Sequence, residues 1–186
     1  MSVSGSWERT ARGAMLLGPG GELSPTIFAE MSALATSTGA INLGQGFPDE
    51  DGPAEVLEAA RAAISAGVNQ YPPGLGMPVL REAIAAHQKR FYGIDVDAAT
   101  QVLVTAGATE AIAATLLALT DAGDEVVTFE PFYDEYGAIT ALGSATQVTV
   151  PLRAPQFLPD PDELRAAVND RTRVILVNSP HNPTGV

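Results

Sequence analysis

Apolar residues recur at helical spacing in the first half of the chain and gather into short continuous runs in the second. Residues 24–39 (SPTIFAEMSALATSTG) place Ile27, Met31 and Leu34 four and three apart. With Ser24 as the cap and Pro25 at the first helical position, they predict a helix. Residues 53–67 predict a second, with Pro53 at its start and Gly67 at its C-terminal cap. A third is expected over 77–93, ending at Gly93, with Leu80, Ala83, Ile84 and Phe91 marking its apolar face. Residues 1–21 are polar and Gly-rich and read as an arm or frayed terminus. INLGQGFPDEDGP (41–53) reads as a short strand entering a Gly/Pro/Asp loop, and NQYPPGLGMP (69–78) as another loop.

From residue 100 the pattern changes. The apolar runs QVLVTAG (101–107), EVVTFEP (125–131), ATQVTVPL (145–152) and RVILVNS (173–179) predict strands. Helical patterns separate them at 108–123, 132–143 and 159–170. That alternation predicts an α/β fold: a three-layer, mainly parallel sheet with helices on both faces. No internal repeat or low-complexity tract interrupts it.

Composition narrows the function. Ten basic against 22 acidic residues give a net charge of −12, which argues against nucleic acid or anionic membrane as a partner held by bulk charge. A small anion pocket built from backbone amides is still compatible with it. The absence of cysteine removes disulfides and thiolate metal sites, and His87 and His181 are too far apart in sequence to suggest a ligand cluster. No apolar run reaches membrane-spanning length, and the expected location is cytoplasmic. Lys89 is the only lysine. It lies about 180° around its helix from Leu80, at roughly 100° per residue, so it should face solvent. A nucleophilic lysine needs a desolvated pocket, and Lys89 is a poor candidate.

Five segments could carry chemistry. In VLVTAGATEA (102–111) a strand delivers Gly107, and a helix begins at once with Ala108, Thr109 and Glu110. Unpaired amides and the dipole make such an end a place for a phosphate, although an ordinary tight connection uses the same residues. Neither Gly-x-x-x-x-Gly-Lys-Ser/Thr nor Gly-x-Gly-x-x-Gly is present, which counts against a nucleotide-binding domain. In EPFYDEY (130–136), Pro131 stops a strand and throws Phe132 and Tyr133 into a loop, where a ring could stack on a flat heterocycle or plug the gap under a helix. SPHNPTG (179–185) puts the amide of Asn182 at a strand's carboxyl end, where it could serve an oxyanion or merely turn the chain. NLGQGFPD (42–49) could present backbone N–H groups to a carboxylate. Tyr71 sits on a stiff Pro-Pro loop that reads as surface.

Taken in order, NLGQGFPD, NQYPPGLGMPVLREAI, VLVTAGATEA, EPFYDEY and VILVNSPHNPTG resemble the fold-type I pyridoxal-phosphate aminotransferases of class I/II. The resemblance covers about residues 24–186 and is strongest to the kynurenine, methionine and N-succinyldiaminopimelate branch. It implies pyridoxal 5'-phosphate as cofactor, with its phosphate on Gly107, Ala108 and Thr109 and its ring against Tyr133. Asn182 would meet the cofactor's 3′-oxygen and the substrate carboxylate, supported by Asn178. Gly46 would donate a backbone N–H to that carboxylate. Tyr71 would reach the phosphate of a neighbouring subunit in a homodimer.

The partners implied are a small-molecule amino acid and a 2-oxo acid, and the branch points to N-succinyl-L,L-diaminopimelate and 2-oxoglutarate. Residues 1–45 would form an arm and small-domain segment, and 46–186 the first part of the cofactor-binding large domain. In the family the Schiff-base lysine, the pyridine-facing aspartate and the carboxylate-binding arginine follow the Asn-Pro-x-Gly loop. The resemblance therefore implies the N-terminal half of an aminotransferase, a fragment inactive alone. The alternative is a non-catalytic binding or assembly module derived from such a half.

Overall fold

The computed structural model describes residues 5–46, 48 and 50–186. Three of the apolar runs pair as β1 (Glu125–Glu130), β2 (Thr146–Pro151) and β3 (Thr172–Ile175), all parallel, in the order β2-β1-β3. Val126, Val127 and Thr128 on the central strand have no exposed surface, as a strand covered on both faces requires. Helix α6 (Glu135–Leu142) connects β1 to β2, and α7 (Pro161–Ala167) connects β2 to β3. The first connection steps outward across the sheet and the second steps back. Right-handed crossovers then put α6 and α7 on opposite faces. Helix α5 (Ala108–Leu119) joins the α6 face, where Leu116, Val126, Ile139 and Ala145 form the core, with Ile112, Ala113 and Val174 packed against them.

One core group is out of balance. Thr140 on α6 is buried, and its hydroxyl has no hydrogen-bond partner among the described residues. A buried hydroxyl left unbonded costs about 1–3 kcal/mol. Thr140→Val keeps the shape and removes the hydroxyl, so it should stabilise the protein by about 1 kcal/mol in a urea unfolding curve. A lower midpoint would mean that the hydroxyl is satisfied.

A polar clasp also holds the sheet. Glu125 is buried at the start of β1. Its carboxylate accepts from Asn169 Nδ2 and from Arg171 Nε, each at 2.7 Å, while its backbone N–H donates to the Arg171 carbonyl at 2.8 Å. The Asn169 hydrogen bond first, then Arg171, lowers the Glu125 pKa from its ordinary 4.5. A depressed carboxylate pKa stabilises the fold above the unfolded value and loses that contribution as pH falls through the folded one. Glu125→Gln should therefore melt below the parent at pH 7, and the gap should close as the pH drops below 4.5. A gap independent of pH would rule out the ionic clasp.

Several expectations are corrected by the tertiary arrangement. Apart from residues 1–4, which lie outside the described residues, the N-terminal arm is ordered. Helix α1 (Ser6–Gly13) packs on α6 where Gly13 meets Gly137, and Leu17 bridges to Leu23. Helix α2 (Ile27–Thr38) begins two residues after Pro25. Its cap is Thr26, whose hydroxyl accepts from the Ala29 N–H at 3.2 Å, while the expected cap Ser24 lies before the helix with its N–H donating to the Leu16 carbonyl. Strand β3 stops at Ile175, short of Ser179.

The described residues form two compact units, one of residues up to Ala33 with Gly107–Val186 and the other Leu34–Ala106. The second holds α3 (Ala54–Ser65) and α4 (Pro78–Tyr92). Neither 41–43 nor 101–106 forms a strand there. The Val104 N–H donates to the Leu75 carbonyl at 3.1 Å, and Gly76, at φ +97°, lies against the Val104 side chain. A β-prone run becomes a strand only where a partner strand is offered, and a loop takes that place. The expected apolar face of α4 is uncovered in part, with Leu80 and Phe91 exposed.

Candidate active site

All three strands run the same way, so the segments after β1 and β3 leave the sheet at one edge, the carboxyl edge. Helix α5, which returns into β1, has its N-terminus on that side. Gly107, Ala108 and Thr109 form this end of α5. Gly107 has φ +87°, a conformation that favours glycine, and a Cβ built there would meet nothing within 4 Å among the described residues. The open side and the dipole of a 12-residue helix suit an anionic group. The Thr109 hydroxyl donates to Glu135 Oε2 at 2.5 Å, which ties α5 to the start of α6.

The loop after β1 delivers Phe132 and Tyr133, both half-buried. Tyr133 sets its ring edge-on to Tyr136, with centroids 5.9 Å apart and planes at 85°. Burial raises both phenol pKa values, and the charge of Glu135 adds to the effect. The loop after β3 is held by its own side chains. Asn178 Oδ1 accepts the Asn182 backbone N–H at 2.6 Å. Buried His181 meets Thr184 Oγ1 through Nδ1 at 2.7 Å, and its carbonyl accepts from Gly185 at 2.6 Å. The Asn182 residue is left exposed.

Gly46 and Tyr71 belong to the other unit. A Cβ on Gly46 would meet nothing within 4 Å among the described residues, and the nearby loop is shaped by Asn42 Oδ1, which accepts the Gly44 N–H at 2.9 Å. Phe47 and Asp49 of the same segment lie outside the described residues. Tyr71 is 99% exposed. Lys89 faces solvent as its helical position predicts, and its ammonium lies 2.7 Å from Asp95. The hydrogen bond to Asp95 raises its pKa, the opposite of what a nucleophilic amine requires.

Sequence reasoning passed over Glu135. Its position at the first turn of α6, just after the aromatic pair, is legible, but its reach to Thr109 is not.

The model of aminotransferase class I and II matches residues 38–186. The chain belongs to that family. This aminotransferase-family chain is 60% identical over 163 residues to a probable N-succinyldiaminopimelate aminotransferase of Mycobacterium tuberculosis, covering 86% of the chain and 41% of the relative. It is 46% identical over 163 residues to the methionine aminotransferase of Escherichia coli, covering 88% and 42%. The solved N-succinyldiaminopimelate aminotransferase of Mycobacterium tuberculosis matches all of the chain and 45% of its own, with 53% identity and a TM-score of 0.86. The chain thus spans less than half the length of the relatives it matches. Among the described residues no helix is long and apolar enough to cross a membrane.

Proposed function

We propose that this chain supplies part of the cofactor and substrate cradle of a cytoplasmic, pyridoxal-phosphate-dependent aminotransferase acting on an amino acid and a 2-oxo acid. The observation that carries the reading is the gathering of the α5 N-terminus, the Tyr133 loop and the Asn178–Asn182 loop at the carboxyl edge of one parallel sheet. The residues fit the group. Gly107 leaves open space beside the first turn of α5, Thr109 adds a hydroxyl, and Tyr133 offers a flat apolar ring.

In this reading Gly107, Ala108 and Thr109 hold the phosphate, and Tyr133 lies against the pyridine ring. Asn182 donates to the 3′-oxygen and to the substrate carboxylate. Asn178 keeps the Asn182 loop in place by accepting its backbone N–H. Gly46 gives a backbone N–H to the substrate carboxylate, and Tyr71 reaches the phosphate of a second subunit in a homodimer. Residues 1–45 are assigned to the arm and small domain and 46–186 to the large domain. When bound, the cofactor supplies a ring that draws electrons from the substrate's α-carbon. Likeness to the Mycobacterium tuberculosis enzymes supports N-succinyl-L,L-diaminopimelate and 2-oxoglutarate as the substrate pair.

The 186 residues by themselves should not transaminate, because their one lysine is exposed and paired with Asp95. Equilibrium dialysis with pyridoxal phosphate tests the cradle. Tyr133→Ala and Asn182→Ala should each weaken binding by about tenfold, the scale of one lost stacking contact or hydrogen bond. No binding by the unaltered chain, or turnover by it alone, would overturn the reading.

A further inference from the structure

Thr109 is the second residue of α5, and Glu135 is the first of α6. Because the two helices pack together, this hydrogen bond joins two fixed points. A threonine hydroxyl has a single proton to donate, and the Glu135 carboxylate takes it at 2.5 Å. The same carboxylate brings a negative charge to the electropositive end of α5. It lies close enough to Tyr133 and Tyr136 to act on both rings. A phosphate drawn to Gly107, Ala108 and Thr109 needs the same proton and the same field. Two anions on one donor repel, and the side chains are close enough to solvent for the repulsion to be modest.

We propose that Glu135 competes with the cofactor phosphate for Thr109 and the N-terminus of α5, and so sets how tightly the chain holds pyridoxal phosphate. This rests on the cofactor reading above and makes Glu135 an affinity-setting residue. The competition is specific to a phosphate monoester. Pyridoxal, which has the ring without the phosphate, should not feel it.

The test is equilibrium dialysis of the full chain and its Glu135→Gln and Glu135→Ser variants against pyridoxal phosphate and, separately, pyridoxal. Both variants should bind pyridoxal phosphate about three- to tenfold more tightly, with pyridoxal affinity unchanged. In a Thr109→Val background the gain from Glu135→Gln should shrink to less than about twofold, because the shared hydroxyl is gone. Equal or weaker binding of pyridoxal phosphate by both variants overturns the inference while leaving the cofactor reading intact. So does an equal gain for pyridoxal, which would mark a general charge effect. If neither the parent nor the variants bind pyridoxal phosphate, the cofactor reading falls and the inference falls with it.

Discussion

Leu116→Ala is expected to lower the unfolding free energy by about 2–5 kcal/mol, the range for deleting a buried leucine side chain. Leu116 is 3% exposed and fills the space between α5, Val126 on β1 and Ile139 on α6. Those three elements have few ways to close over the gap, since Val126 lies on the central strand, which pairs with β2 on one side and β3 on the other. The neighbouring Leu117 is 46% exposed, and Leu117→Ala should cost less than about 1 kcal/mol. Guanidinium unfolding of the two variants separates them, and equal losses would contradict the assigned core. The same helix carries Gly107–Thr109 at its other end, so Leu116→Ala should also weaken binding of pyridoxal phosphate.

Gly137→Val should release α1 from α6. A Cβ at Gly137 would run into the Gly13 carbonyl and lie 2.9 Å from Gln147 Oε1, while one on Gly13 would lie 2.6 Å from Ala141 Cβ. Gln147 has little freedom to retreat, because its Nε2 donates to Thr128 Oγ1 at 2.8 Å. Overpacking of this kind costs about 1–3 kcal/mol. Alanine at the same place is less decisive, since replacing a helical glycine with alanine returns about 1 kcal/mol. Trp7, the only tryptophan, sits on α1, so its emission reports the release directly. A shift to longer wavelength and faster proteolysis within residues 5–24 are the expected results. Unchanged emission and an unchanged melting temperature would show that the crossing has room.

These two variants also separate what was legible in the chain from what was not. Leu116 lies in a helical pattern that the chain shows plainly, but only packing separates it from Leu117 and Leu119, which are exposed. Gly137 meets Gly13 across 124 positions, and nothing local to SWERTARG distinguishes a docked helix from a polar arm. The runs at 41–43 and 101–106 fail for a related reason. Their apolar residues suit a strand, but Val104 finds the Leu75 carbonyl instead of a partner strand. Of the candidate site, Gly107–Thr109, Tyr133 and Asn178–Asn182 could be named from turn chemistry and motif order. Glu135 could not, because its part depends on a hydrogen bond spanning 26 residues.

Spacing along the chain was enough for the alternation of apolar runs and helical patterns, the parallel character of the sheet and the exposure of Lys89. Those are local properties, whereas the family rests on the resemblance of five ordered motifs and on the match over residues 38–186. The folded arrangement settles which runs become strands, that the N-terminal arm docks through two glycines, and that Glu125 is clasped by Asn169 and Arg171. It also decided that Thr109 is bound to a carboxylate. Each of those depends on two distant segments arriving at the same place, where close packing and hydrogen-bond geometry select among partners that local propensity leaves equivalent.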